Sequence, residues 1–192
     1  EERNKTDMAM ENTPREEIRR NVEAQREFFR TGKTLDVKFR KESLRALKRA
    51  MEKWEKPLAD ALWQDLHKSY EEAYLTELSI VLGEIRNHIS HLSKWAAPKR
   101  VCTPLKMFPS RSKVVQEPLG CSLIMAPWNY PVQLLLNPLV GAISAGCTAV
   151  LKPSPYVPHV SKVLEEMIRE TFAPEYIAVV QGNREVNTAL LE

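Results

Sequence analysis

Short apolar segments alternate with helical patterns from Gly120 onward, and this order constrains the fold more than any other feature of the sequence. Apolar runs at residues 120–126, 148–151 and 176–180 are separated by two stretches with a helical pattern, and a last helical stretch starts near Glu185. Continuous apolar runs of this length are typical of strands buried on both faces of a parallel sheet. The order β-α-β-α-β-α therefore predicts an open α/β sheet with right-handed crossover connections.

Residues 1–98 predict helices instead of strands. Apolar side chains recur in steps of three and four over residues 44–61 and again over 74–95, which is the pattern of one buried helical face. Pro57 predicts a break in the first stretch, and Pro98 follows the end of the second. We interpret both apolar stripes as core packing and expect a helical segment ahead of the sheet.

A basic segment at residues 99–118 connects the predicted helices to the predicted sheet. It carries five basic residues and a single acid, and prolines interrupt it. Residues 112–116 are typical of a short strand, so we predict a protruding β-hairpin or a linker. Phe108 is the only aromatic residue of the segment, and the whole chain has a net charge of only +3. The segment therefore indicates a solvated surface, and we expect no nucleic acid as a partner.

Two polar segments follow the first two predicted strands, where an open α/β sheet binds its ligands. Asn129 lies just ahead of a predicted helix that begins at Pro131, and its amide could donate a hydrogen bond to a developing oxyanion. Lys152 ends the second strand and could bind the hydroxyl or phosphate groups of a nucleotide. The same spacing is equally compatible with a helix cap at Asn129 and a solvated loop residue at Lys152.

Other catalytic and metal-binding patterns are weak in this sequence. Residues 141–148 resemble a phosphate-binding loop, but Cys147 replaces the lysine of that motif and the segment follows a helix. Glu84, His88 and His91 share one helical spacing. Because His88 falls in the apolar stripe, we expect a buried, hydrogen-bonded histidine and no metal site.

The three cysteines predict unpaired thiols. Cys102, Cys121 and Cys147 have no candidate base beside them, and we expect the last two to be buried structural thiols. Three scattered cysteines support neither a disulfide framework nor a metal site. This usage is typical of a reducing compartment, and we predict a cytoplasmic protein.

Two further segments bear on the compartment. The polar N-terminal residues include a glycosylation motif at Asn4 but no apolar stretch, so we expect no signal peptide. Residues 119–151 carry no charge and are long enough to span a bilayer. Because Pro127, Pro131 and Pro138 interrupt this run, we interpret it as buried strand, helix and strand, and expect no membrane segment.

Two motifs give the sequence a specific resemblance to a known family. P-W-N-Y-P at residues 127–131 and G-A-I-S-A-G-C-T-A-V-L-K-P-S at residues 141–154 together resemble the aldehyde dehydrogenase superfamily. The Tyr130 variant and the compact N-terminal helices resemble the class 3, fatty aldehyde dehydrogenase-like branch most. The resemblance extends from about Arg15 to Glu192, which is nearly the whole chain.

The resemblance implies a fold and a division into three parts. The fold class is α/β, with a partial Rossmann-like parallel sheet of the aldehyde dehydrogenase fold. Residues 1–98 would form the N-terminal helical segment and residues 99–118 a β-hairpin oligomerisation arm. Residues 119–192 would form a partial NAD(P)-binding domain, and the catalytic domain of the family has no counterpart in this sequence.

The resemblance also implies roles for individual residues. Asn129 matches the catalytic asparagine of the oxyanion hole, and Lys152 matches the lysine that holds the adenosine ribose of NAD or NADP. The other matched positions are expected to line or contact the cofactor: Met125, Ala126, Pro127, Trp128, Ser154 and Pro155. Pro155 departs from the pattern, because many members have a glutamate there that contacts the ribose hydroxyls.

By this resemblance the complete enzyme is a homodimer that oxidises a small-molecule aldehyde to a carboxylic acid through a cysteine thiohemiacetal. The nucleophilic cysteine, the general-base glutamate and the pyrophosphate glycine motif of the family have no match here. The chain therefore corresponds to the N-terminal portion of such an enzyme and is expected to be inactive alone. Two alternatives remain open: reduction of an acyl phosphate or acyl thioester by an enzyme of the same superfamily, and a truncated, non-catalytic binding or assembly module.

Overall fold

The computed structural model describes residues 11–192, so the glycosylation motif at Asn4 and the polar N-terminal residues lie outside the described part. Eight helices are described: α1 Arg15–Arg30, α2 Val37–Lys53, α3 Glu55–Leu66, α4 Tyr70–Ala73, α5 Ser79–Trp95, α6 Pro131–Ala145, α7 Pro158–Thr171 and α8 Arg184–Leu191. Five strands are described: β1 Lys99–Val101, β2 Ser112–Val114, β3 Cys121–Met125, β4 Thr148–Lys152 and β5 Ile177–Val179. This order confirms the strand–helix alternation predicted from Gly120 onward.

A three-stranded parallel sheet forms the centre of the fold, with strands in the order β3-β4-β5. Cys121 of β3 is the register partner of Thr148, and Met125 is the partner of Lys152, so β3 and β4 end at the same level. Helices α6 and α7 pack on one side of the sheet, and α1 and α8 pack on the other. The carboxyl ends of the strands therefore meet at one edge, as expected for a parallel α/β sheet.

Strand β3, at an edge of this sheet, has one exposed face, which corrects two expectations from the sequence. Its apolar composition predicted a strand buried on both faces, yet only Ile124 is buried. Cys121, Leu123 and Met125 lie on one face of β3 and are exposed, so the helices within residues 11–192 leave that face largely uncovered. The prediction that Cys121 is a buried thiol is therefore wrong, whereas Cys147 is buried as expected.

The N-terminal helices share one hydrophobic core with the sheet. Leu44 and Leu47 of α2 and Ile85 of α5 are fully buried and belong to the same cluster as Leu139 of α6 and Leu151 of β4. The predicted apolar stripes are thus confirmed as core packing. The core places α6, and with it the loop that precedes α6, against the helical segment.

Proline and glycine set the helix boundaries near the sheet. Pro131 and Pro158 are the first residues of α6 and α7, where the missing N–H of proline has no cost. Helix α6 ends at Ala145, and the next residue, Gly146, caps it with a φ of 88°. A Cβ on Gly146 would lie 2.7 Å from the guanidinium of Arg40, so glycine is required there by both backbone conformation and space.

Residues 99–118 contain the predicted hairpin. Strands β1 and β2 are antiparallel, with Lys99 opposite Val114 and Val101 opposite Ser112. Strand β2 ends at Val114, earlier than the predicted end at residue 116, and almost every residue of the segment is exposed. The hairpin therefore protrudes from the core instead of contributing to it.

Candidate functional site

The carboxyl edge of the sheet brings the predicted site residues together. The backbone N–H of Ala126 donates to the carbonyl of Lys152 at 3.1 Å, which continues the β3–β4 pairing one step past Met125. The segment that carries Asn129 and the segment that follows Lys152 consequently leave the sheet side by side. Because both segments start at the same edge, one ligand could contact both.

Lys152 is a buried cation. Its side chain belongs to strand β4, the residue is only 2% exposed, and it forms no salt bridge within residues 11–192. Desolvation by burial lowers the pKa of Lys152 below its ordinary value. This environment excludes the solvated loop residue that the spacing also allowed. An ammonium group without a partner among residues 11–192 could bind hydroxyl or phosphate oxygens.

Asn129 is exposed, and its side-chain amide makes no hydrogen bond with any residue from 11 to 192. The N-cap position of α6 is Tyr130, which provides no side-chain cap either. The structure therefore does not support the alternative that Asn129 is a helix cap. Its amide N–H groups are available to a ligand at the edge of the sheet.

The first amides of α6 are capped by Glu77, which the sequence analysis did not identify. Glu77 Oε2 accepts from the backbone N–H of Val132 at 2.8 Å and from that of Gln133 at 3.3 Å. Its other oxygen, Oε1, accepts from Lys68 Nζ at 2.7 Å. The sequence did contain a signal for this role, because Glu77 follows Tyr74 of the apolar stripe by three residues. A charged residue on a buried helical face requires a partner.

The remaining predicted residues differ in their accessibility. Met125 and Trp128 are exposed, so their side chains are accessible to a ligand at this edge. Ser154 is buried, its Oγ accepts from the backbone N–H of Tyr156 at 3.3 Å, and its carbonyl accepts from Ser161. Ser154 thus stabilises the turn after β4 by these bonds. Pro155, the next residue, is half-buried.

One cavity in the described part of the chain lies away from these residues. It has a volume of about 520 Å³ and lies beside the end of β5, where Thr13, Lys162 and Gln181 contribute to its walls. None of the predicted site residues lines it. This cavity is therefore distinct from the predicted site, which lies at the ends of β3 and β4.

The histidine near the apolar stripe has a structural explanation. His88 Nδ1 lies 2.6 Å from Ser144 Oγ, and His88 Nε2 lies 2.9 Å from Glu84 Oε1, so both ring nitrogens have partners. The expectation of a hydrogen-bonded histidine is confirmed, but His88 is half-buried and not fully buried as predicted. Among residues 11–192, no three His, Cys, Asp or Glu side chains form a group that could hold a metal ion.

The apolar run at residues 119–151 forms β3, α6 and most of β4, as predicted. No helix in the described range 11–192 combines the length and the hydrophobicity needed to cross a membrane.

Comparison with known proteins relates this geometry to a family. A model of the aldehyde dehydrogenase family matches residues 3–192. The 4,4'-diaponeurosporen-aldehyde dehydrogenase of Staphylococcus aureus is 44% identical over 164 residues, which are 85% of this chain and 36% of that protein. Aldehyde dehydrogenase family 3 member B1 of Homo sapiens is 40% identical over 167 residues, which are 87% of this chain and 36% of that protein.

Solved structures show the same relationship. A structure described as the substrate-bound state of Staphylococcus aureus AldH superposes with a TM-score of 0.88 at 42% identity, covering 91% of this chain and 38% of that one. Glyceraldehyde-3-phosphate dehydrogenase GapN from Methanocaldococcus jannaschii, solved with NADP, shares the fold at a TM-score of 0.77 and 19% identity, covering 93% of this chain and 39% of that one. The chain spans 36% of the length of both named relatives.

Proposed function

The chain belongs to the aldehyde dehydrogenase family, and from this premise we propose that the protein of which it forms part oxidises an aldehyde to a carboxylic acid with NAD or NADP. The class 3 relatives and the S. aureus structure support this proposal. Within this chain the carboxyl edge of the sheet would contribute the oxyanion donor and part of the cofactor site.

The proposed reaction assigns Asn129 to the reacting carbon. A cysteine thiolate from polypeptide outside residues 1–192 adds to the aldehyde carbonyl, and the carbonyl oxygen gains negative charge. The free amide N–H of Asn129 donates to that oxygen. Loss of hydride from the carbon gives a thioester, and hydrolysis by water releases the acid and restores the thiolate. The donor lowers the barrier because it is oriented before the charge develops.

The proposed cofactor site uses Lys152. NAD or NADP would supply the hydride acceptor. The ammonium group of Lys152 would bind ribose hydroxyl or phosphate oxygens, and Met125 to Trp128 would line the cleft beside it. The observation that carries the proposal is the burial of this cation without a carboxylate partner among residues 11–192. Lys152 Nζ is not among the fully inaccessible polar atoms of the described residues, so a ligand at this edge can complete its hydrogen bonds.

Substitution of Lys152 tests the proposal. In the complete enzyme, Lys152→Met is expected to weaken cofactor binding by about tenfold to a hundredfold, because hydrogen bonds to charged groups contribute about 1.5–3 kcal/mol. The dissociation constant can be measured by quenching of protein fluorescence. Lys38→Met is the matched control, because Lys38 is exposed on α2 and should leave binding unchanged. Unchanged cofactor affinity in Lys152→Met would refute the assignment.

The same variant gives an independent readout in stability. Lys152 has a lowered pKa in the folded protein, so between that pKa and its ordinary value of 10.5 the unfolded chain binds more protons. Folding stability contributed by this group therefore rises with pH across that window. The Lys152→Met variant lacks this increase of stability with pH, and it also lacks the desolvated charge. Its melting temperature without cofactor is therefore expected to match or exceed that of the unmodified enzyme.

Pro155 bears on the choice between the two cofactors. A glutamate at this position would repel the 2′-phosphate of NADP, whereas proline does not, so we expect NADP to be accepted. Pro155→Glu is expected to shift the ratio of kcat/KM values toward NAD by about tenfold. Pro155→Gln, which is similar in size to glutamate but uncharged, should shift it much less. A strict requirement for NAD in the unmodified enzyme would contradict this prediction.

The hairpin supports a proposal about assembly. Two of its large apolar side chains are exposed to solvent: Leu105 has an exposed fraction of 87% and Phe108 one of 82%. Exposed apolar side chains on a protruding element are typical of an interface. We therefore propose that residues 99–118 contribute to a homodimer contact.

We also propose that the chain divides into three parts. These are the helical segment at residues 1–98, the hairpin at residues 99–118 and the sheet at residues 119–192.

A cytoplasmic location is also proposed. It rests on the cysteines, because Cys102 and Cys121 are exposed free thiols in the structure. Free exposed thiols are typical of proteins in a reducing compartment.

A further inference from the structure

A buried ion pair underlies the loop that carries Asn129. Glu77 is 0% exposed and Lys68 is 8% exposed, and Lys68 Nζ donates to Glu77 Oε1 at 2.7 Å. Lys68 Nζ also donates to the backbone carbonyl of Asn129 at 2.9 Å and lies 4.0 Å from the ring centroid of Tyr130. The ammonium group thus contacts two consecutive residues of the loop directly.

The carboxylate of Glu77 holds the other side of the same loop. Its second oxygen accepts from the backbone N–H groups of Val132 and Gln133, the first amides of α6. These amides have no partner inside their own helix, and no side-chain cap is provided by Tyr130. The pair therefore makes hydrogen bonds to the backbone on both sides of Pro131, at Asn129 and at Val132 and Gln133. The side chain of Asn129 itself is exposed.

A π-turn explains why Glu77 faces inward. Residues 74–78 form five residues of π-helix between α4 and α5, and this turn packs against α6. A π-turn adds one residue to a helical turn and shifts the following side chains around the axis. Glu77 and the next residue, Leu78, are both buried here. The helix therefore directs a carboxylate at the start of α6 without interrupting the core.

The energetics of such a pair favour a geometric role over a stabilising one. Removing two charges from water costs about as much as their attraction returns, so a buried ion pair adds little net stability. What the pair does provide is orientation, because three hydrogen bonds and one cation–π contact hold residues 129–133 against the helical segment. An oxyanion donor requires this kind of support, since a displacement of about 1 Å can reduce a rate by about a hundredfold.

We propose that Lys68 and Glu77 are positioning residues that hold the Asn129 amide in its catalytic orientation. The inference rests on the proposed function, because it assumes that Asn129 donates to the oxyanion. Neither residue contacts the aldehyde or the cofactor in this proposal. They act through the backbone of the loop, so their removal should lower kcat and leave cofactor affinity nearly unchanged.

The experiment is a double-mutant cycle in the complete enzyme. The first change is Lys68→Met with Glu77→Gln, which removes both charges together and leaves no unpaired buried ion. The second is Asn129→Ala. We expect the pair variant to lower kcat at least tenfold with the cofactor dissociation constant within about twofold. In the Asn129→Ala background, the same pair variant should lower kcat by less than about twofold, because the group that it positions is already absent.

The control removes an ion pair of the same chemistry from the surface. Lys56 and Asp60 of α3 form an exposed pair at 2.6 Å, and Lys56→Met with Asp60→Asn should leave kcat unchanged. If the buried-pair variant does not fold, Glu77→Asp replaces it, because it keeps the charge but withdraws the carboxylate from the amides of α6.

Each outcome of the cycle has one interpretation. An equal loss of kcat from the pair variant in both backgrounds would overturn the positioning role and indicate general destabilisation. No loss from the pair variant, with a large loss from Asn129→Ala, would overturn this inference alone. A small effect of Asn129→Ala by itself would instead refute the oxyanion assignment in the proposed function.

Discussion

A chain limited to residues 1–192 is expected to produce no NADH or NADPH from any aldehyde. Covalent turnover requires a nucleophile close to the oxyanion donor, and the cysteines lie elsewhere. Cys121 starts β3 and Cys147 precedes β4, so both are at the amino edge of the sheet, whereas Asn129 follows the carboxyl edge. Five residues of a parallel strand separate these edges by about 13 Å. Cys102 lies in the protruding hairpin.

The same separate chain is expected to self-associate. Leu119, Leu123 and Trp128 are exposed along and beside β3, and Leu119 is fully exposed. No strand within residues 11–192 pairs with the outer edges of β3 and β5, so unpaired backbone groups lie next to apolar side chains. Such edges promote association with other chains. This chain spans 36% of the length of two of its relatives. Additional polypeptide of the kind that those relatives contain could cover the exposed strand edges.

Two measurements test these expectations together. Absorbance at 340 nm in the presence of aldehyde and NAD or NADP reports turnover, and sedimentation velocity reports the size of the particle. Co-expression with the rest of the polypeptide should restore both a defined size and activity. A monomeric 192-residue product with dehydrogenase activity would refute the prediction, and one of the three cysteines would then have to be the nucleophile.

The sequence predicted the parts of the fold that depend on local signals. Pro131, Pro158 and Gly146 mark helix ends by their own backbone preferences, so α6 and α7 were located closely. The apolar runs predicted all three strands of the parallel sheet. Composition could not show that one face of β3 is exposed, because burial depends on which elements pack against that face and not on the residues of the strand itself.

The sequence predicted the part of the site that lies where neighbouring parallel strands end. Asn129 and Lys152 were assigned to one edge because parallel strands end together, and the register confirms that they leave the sheet side by side. Lys68 and Glu77 were missed because their partners are distant in sequence. Lys68 contacts the carbonyl of a residue 61 positions away, and neither residue belongs to a recognisable motif. Every residue has the same backbone groups, so the sequence does not indicate which of them a distant side chain will bind. Such contacts become visible only in the folded structure.

Asn129→Ala in the complete enzyme is expected to lower kcat by about a hundredfold or more. Loss of one preorganised oxyanion donor costs about 10²- to 10³-fold in rate, since the donor acts on charge that is present mainly in the transition state. Cofactor affinity should stay within about twofold, because the amide faces the reacting carbon in the proposed reaction. Asn87→Ala is the matched control, as Asn87 is exposed on α5.

The structure makes this substitution easy to interpret. The Asn129 side chain caps no helix and bonds to no residue from 11 to 192, so its removal should leave the melting temperature unchanged. Pre-steady-state kinetics with the complete enzyme can then assign the loss to the chemical step and not to binding. A kcat within a factor of about three of the unmodified value, in a variant that still folds, would show that another group stabilises the oxyanion. The Lys68–Glu77 pair would then have no catalytic amide to position, and its role would be confined to capping α6.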